Sequence, residues 1–279
     1  MPKPSPNPEA IKGTLLPRTS PLAPEDYKFN VLYAGAAKSG KTHCIASWPD
    51  TFCLYWDENL ATIRKFPGVT VVPIPSWQAF ETYGIPALQR RCWFAPNPKN
   101  LEETILAPLT CGTFANDSLS TMVDLLIKHL EKTYSGFELW KMVEAKAMYA
   151  TRVMVALAKP HRELPSMNVL MSCHLRDKEG ENGALVKTGL DIAGQSSGKI
   201  PRLFDSVFLT QRENTKDSQG NTTVDHFVYT VNPNRRFDFI GDGVGGGKFA
   251  TLPAKTGGTY QELMTAWGVT KNNPTTKET

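Results

Sequence analysis

The sequence is short of cysteine, of long apolar runs and of net charge, and each shortage closes off a class of protein. Its five cysteines, Cys44, Cys53, Cys92, Cys111 and Cys173, are odd in number, widely scattered and without a Cys-x-x-Cys pair. That usage argues against a disulfide framework and against a cysteine zinc site; it fits reduced thiols in the cytoplasm. No stretch approaches the roughly 18 consecutive apolar residues of a membrane span, and the N-terminal segment lacks the apolar core of a secretory signal. A soluble, cytoplasmic protein without a membrane partner is therefore expected. Lys and Arg total 31 against 27 Asp and Glu, a formal charge of +4. So small an excess permits a nucleic-acid partner and does not demand one.

What is present is a chain of 279 residues, 41% hydrophobic, enough to bury one sizeable core or two small ones. Residues 1–24 carry seven of the 21 prolines, which rules out a helix or a central strand there and predicts a disordered tail. Residues 269–279 read as a second, flexible tail, leaving one domain over 25–268. Within it, Phe29–Ala34, Thr51–Trp56, Val69–Ile74, Gly112–Asn116, Val169–Ser172 and Ser206–Gln211 read as strands. Several are apolar without alternation, as in strands covered on both faces. Between them Leu119–Lys132 and Leu139–Leu157 repeat apolar residues at helical spacing. Alternation of strand and helix predicts an α/β fold with a mainly parallel sheet. Val207–Arg212 and Val224–Val231, flanking a turn-rich stretch, predict an antiparallel hairpin at one edge.

The most specific signal is Gly35-Ala36-Ala37-Lys38-Ser39-Gly40-Lys41-Thr42, a full GxxxxGK[ST] match between an apolar strand and a short helix over Thr42–Trp48. Glycines let such a loop wrap its N–H groups around a phosphate, the lysine adds a point charge, and the threonine hydroxyl ligates magnesium. Residues 35–43, His43 included, are thus the candidate ATP cradle, with Thr42 as a Mg2+ ligand. Asp117, following the Gly112–Asn116 strand, is the candidate second Mg2+ ligand; as an alternative, Asp117-Ser118 caps the next helix. Asp57-Glu58 ends another strand, and Glu58 is the candidate group for activating water, with Asp57 next.

The order of these pieces resembles the RecA family: a P-loop, a strand ending in an acidic pair, a strand ending Asp-Ser, and a strand ending in a polar sensor, here Ser172-Cys173-His174. More narrowly, the chain is similar to the short RecA-like ATPases of bacteriophages associated with single-strand annealing and recombination. The stretches carrying that likeness are His174, Gly198–Asp205 and Gly247-Lys248-Phe249-Ala250-Thr251-Leu252-Pro253. The resemblance implies a RecA-like P-loop NTPase core, ATP and Mg2+ as cofactors, catalysis by Lys41 and Glu58, and His174 as sensor. It also implies an oligomer, ring or filament, in which Lys248 reaches a neighbour's phosphates. Two positions depart from the pattern: Ala250 replaces a second basic residue, and His174 stands where RecA itself has glutamine.

Single-stranded DNA is the implied partner, with a single-strand binding protein as a further candidate. Leu175–Lys199, read as a long glycine-rich loop, offers Arg176, Lys178, Lys187 and Lys199. Asn232–Phe249 offers Arg235, Arg236 and Lys248 among Phe237, Phe239 and Phe249, the cations and aromatics of single-strand binding. The acids Asp177, Glu179, Glu181 and Asp191 dilute the first stretch. Two other readings compete with a DNA-recombination ATPase. One is a nucleotide-gated mediator or assembly factor with little DNA-stimulated hydrolysis. The other is a small-molecule kinase, for which the isolated Arg90-Arg91 is a poor lid.

Overall fold

The computed structural model describes residues 28–57, 63–159, 166–179, 185–216, 219–220, 222–230, 237 and 252–268. In chain order the first half comprises β1 (Asn30–Gly35), α1 (Lys41–Ala46), β2 (Thr51–Tyr55), β3 (Val69–Pro73), α2 (Trp77–Ala79), α3 (Ile85–Gln89), β4 (Cys92–Asn97), β5 (Asn100–Pro108) and β6 (Thr113–Asp117). Then come α4 (Leu119–Leu130), α5 (Gly136–Val155), β7 (Asn168–Cys173), β8 (Leu175–Glu179), β9 (Leu185–Leu190), α6 (Ser196–Lys199), β10 (Ser206–Lys216), β11 (Thr222–Tyr229), β12 (Lys255–Gly257) and α7 (Tyr260–Ala266).

Eight strands form one sheet in the order β12-β11-β10-β1-β7-β6-β2-β3. From β10 to β3 all neighbours run parallel; β10-β11 and β11-β12 are antiparallel. The four strands β1, β7, β6 and β2 are buried along nearly their whole length, which explains their unbroken apolar character. Their side chains divide by parity between two cores. Leu32, Ala34, Leu54, Phe114 and Met171 face Met122, Leu126, Val143 and Met154 of α4 and α5. Val31, Tyr33, Cys53, Ala115 and Leu170 face Cys44 and Ile45 of α1 and Leu263 and Met264 of α7. Burial raises the Cys44 and Cys173 thiols to about 12, so both act as small core side chains rather than nucleophiles.

Local chemistry explains the element ends. Ser118 caps α4 by accepting from the Thr121 amide, and Thr259 with Glu262 forms a capping box on α7. The α/β class with a mainly parallel sheet, flanking helices and an antiparallel hairpin is as expected, with strand limits within a residue or two except for β10. That strand runs five residues further, to Lys216, and β12 lies outboard of the hairpin. The Leu175–Lys199 reading is corrected. It is no open loop but the antiparallel ribbon β8-β9 followed by α6, because Thr188 and Leu190 turn inward. The helical stretch around α2 and α3 and the β4-β5 hairpin had no strong sequence signal. Both proposed tails, 1–24 and 269–279, lie outside the described residues. Among the described residues no helix is long and apolar enough to cross a membrane.

Candidate nucleotide site

The loop after β1 is held where only particular residues fit. Gly40 has φ 100°, and a Cβ there would lie 2.7 Å from Cγ of His226. At Gly35 a Cβ would lie 2.7 Å from the Thr210 carbonyl oxygen of the neighbouring strand β10. Lys41 is 95% buried; its Nζ donates to the carbonyls of Gly35 and Ala36 at 2.9 and 2.8 Å and lies 3.4 Å from Nδ1 of His174. Burial lowers its pKa, and the nearby Asp117 carboxylate opposes that shift. Ser39 Oγ, in the same loop, is buried without a hydrogen-bond partner.

Asp117 ends β6, two strands from β1, with β7 between them. Its carboxylate is buried and accepts from Thr42 Oγ1 at 2.7 Å and from Ser172 Oγ of β7. Burial pushes its pKa up, against the pull of those hydroxyls and of Lys41. The Asp117–Ser118 peptide is cis. Asp57, just past β2, accepts from Thr121 Oγ1 of α4 at 2.7 Å. His174 follows β7, with its backbone N–H donating to Ser120 Oγ at 2.9 Å. Its pKa is lowered, by burial first and by the Lys41 charge second.

Gly40, Lys41, Thr42, Asp57, Asp117 and His174 line one cavity of about 840 Å³ at the C-terminal ends of the parallel strands. Its lining also includes groups that sequence reasoning missed, among them Phe66, Lys65, Arg212 and His226. The His226 Nδ1 is 3.1 Å from the Ser39 carbonyl and so donates to it. His43 packs edge-on to Phe66 at 5.0 Å and beside His226 at 5.5 Å. The antiparallel hairpin was legible, but only the placement of β10 against β1 brings Arg212 and His226 to the P-loop. A second cavity, of about 530 Å³, is lined by β3, β4 and the helical residues Ala79, Phe80, Tyr83 and Gly84; its lining is almost wholly apolar and includes none of these charged groups.

A magnesium nucleotide fits these residues. A buried carboxylate touches the P-loop threonine hydroxyl and lies near a buried ammonium, and Ser39 Oγ lacks a partner. The amides of 36–42 and Lys41 would hold the phosphates, and Thr42 and Asp117 the ion, which supplies charge neutralisation between phosphate oxygens. The DNA candidates are placed less favourably. Arg176 pairs with Asp191 at 2.8 Å and Lys199 pairs with Glu144, while Lys187 is exposed on β9. Lys178 belongs to β8, its side chain not described. Glu58, Lys248, Arg235 and Arg236 lie outside the described residues.

The P-loop strand with β7 on one side, β10 on the other, and the Asp117 strand beyond β7 defines a RecA-like P-loop NTPase core. No protein-family model matches the chain, and no curated protein matches it. Among solved structures it is similar to the flagellar accessory protein FlaH from Methanocaldococcus jannaschii, at 10% identity and TM-score 0.32, over 75% of this chain and 89% of that one. It is also similar to the Legionella pneumophila ATPase DotB, at 10% identity and TM-score 0.27, over 76% of this chain and 48% of that one. The strand order, not these distant likenesses, defines the fold class.

Proposed function

We propose that the protein binds and hydrolyses ATP with Mg2+, working as an oligomeric RecA-like ATPase on single-stranded DNA in phage recombination, annealing or repair. One observation carries the catalytic part: the P-loop residues Lys41 and Thr42 meet Asp117, 75 positions beyond Thr42, in one cavity, with the Thr42 hydroxyl 2.7 Å from the Asp117 carboxylate. Lys41 holds the phosphates, Thr42 and Asp117 hold the ion, and the acidic pair after β2, Glu58 first, orients water. His174, 3.4 Å from Lys41, is the sensor. The DNA and oligomer parts rest on the resemblance and on the cations of the β8-β9 ribbon and the 232–249 segment.

ATP turnover with and without single-stranded DNA tests this reading. Wild type should hydrolyse ATP faster with DNA, and Lys41→Ala should hydrolyse none while keeping its fold. Undiminished turnover in Lys41→Ala rejects the P-loop assignment. Glu58→Gln should bind Mg-ATP but not turn it over. Mixing Lys248→Ala with Lys41→Ala chains tests the oligomer, since recovered hydrolysis requires Lys248 to act across an interface. The ion pairs that occupy Arg176 and Lys199 favour a second reading, a nucleotide-gated mediator. Slow hydrolysis indifferent to DNA would select it.

A further inference from the structure

The metal side of the cavity contains two carboxylates with separate supports. Asp117 is held by hydroxyls of Thr42 and Ser172, on α1 and β7. Asp57 is held by a third hydroxyl, Thr121 Oγ1, from the first turn of α4. Thr121 Oγ1 also lies 3.0 Å from Ser118 Oγ, so a chain of polar contacts runs from Asp57 to the residue directly after Asp117. Asp57 lines the same cavity as Lys41, Asp117 and His174 and is within electrostatic reach of all three. Thr121 engages only Oδ1 of Asp57. A carboxylate has two oxygens and about four acceptor sites, so its capacity is far from filled.

Magnesium dehydrates reluctantly and is usually bound by one or two protein oxygens while keeping several waters. Those waters are strong donors and need fixed acceptors around them. We infer that Asp57 is an outer acceptor of the magnesium site, taking hydrogen bonds from water on the ion, and that Thr121 is the positioning residue that fixes it. The inference rests on the Mg-nucleotide reading above and assigns it a second acid. The plainer alternative is a tether, in which Asp57 and Thr121 only fasten the end of β2 to α4. The two differ in what they predict, because a tether affects stability and leaves the affinity for magnesium alone.

The test is the magnesium dependence of ATP binding, measured by calorimetric titration of the full chain, with binding in EDTA as baseline. Loss of an outer-shell partner commonly weakens metal affinity 10–100-fold. Asp57→Asn should therefore raise the Mg2+ concentration for half-maximal enhancement about 10–100-fold, while ATP affinity in EDTA does not fall, since a charge that repels phosphate is removed. Thr121→Val should shift it the same way, by about tenfold or less, and Thr121→Ser should return it to within about threefold of wild type. An unchanged magnesium requirement in Asp57→Asn overturns the inference. So does equal impairment in Thr121→Val and Thr121→Ser, or a fall in melting temperature without any magnesium shift, which is the tether. If wild type binds no ATP, or binds it equally with and without Mg2+, the parent reading fails, a result distinct from the others.

Discussion

The two sides of the P-loop strand carry opposite chemistry. On the parallel side, β7, β6 and β2 are buried along nearly their whole length and end in or beside acids and small hydroxyls: Asp117, Asp57, Ser172 and Thr121 close by on α4. On the antiparallel side, β10 and β11 bring a cation and an imidazole, Arg212 and His226, to the same cavity. The difference follows from cover. Strands packed on both faces leave only their ends for polar groups, so few charges appear there and each is fixed by a neighbouring hydroxyl. The hairpin has an exposed stretch, so longer charged side chains are tolerated along it. The proposed function would place its divalent ion on the first side and draw on the second for its anionic ligand, with the P-loop between them.

Substitutions on the two sides should separate these roles. The largest effect belongs to the metal side: Asp117→Asn should cut Mg2+-dependent ATP turnover on the order of 10²–10³-fold. Its melting temperature without ligand should not fall, because burial already disfavours the charge that is removed. Next is the covered core behind the metal side. Phe114, fully buried in β6, when changed to Ala should cost about 3–5 kcal/mol in denaturant unfolding. On the hairpin side Arg212→Ala should weaken ATP binding roughly 5–10-fold at low salt and less at high salt, as expected for an exposed cation near phosphates. The outer ion pair Lys255–Glu213, at 2.6 Å, is half-open to solvent, and Lys255→Ala should change stability by less than about 1 kcal/mol. If Lys255→Ala cost as much as Phe114→Ala, the contrast in cover between the two sides would be wrong.

A pH measurement sharpens the same comparison through His174, which is held below the ordinary histidine pKa by burial and by Lys41. The unfolded chain takes up a proton near pH 6.5, while the folded chain resists it until lower pH. The unfolded state binds more protons in that window, so stability should rise with pH up to about 6.5. His174→Gln should flatten this part of the melting-temperature profile; an unaltered slope would assign it to other groups.

How much was legible in the sequence depended on the range of the interaction. Gly35–Thr42 is a local pattern whose residue types are dictated by one tight loop, so sequence alone located it. Strands β1, β2, β6 and β7 announced themselves by apolar runs that only double cover explains. By contrast, the β8-β9 ribbon was masked by glycines and by its charged residues Arg176, Asp177, Lys178, Glu179 and Lys187, and with Thr188 as an inward residue it shows no apolar alternation. Asp57 was visible as an acid, but its partner Thr121 is 64 positions away. Arg212 and His226 carry no motif; they reach the P-loop only through the order of the strands.

That order has a consequence for how the site comes into being. β1 pairs with no strand near it in sequence, only with β7 and β10, and side-chain bonds tie the same region together: the Phe29 amide donates to Asn168 Oδ1 across 139 positions and Thr210 Oγ1 to the Ala34 carbonyl across 176. Contacts of such separation form late, after long loops have closed. The P-loop therefore acquires its shape only when most of the chain has been synthesised and docked. A truncated or half-folded chain would lack a phosphate cradle altogether, and any ligand that occupies it would select the completed fold and stabilise it in proportion to the logarithm of its concentration.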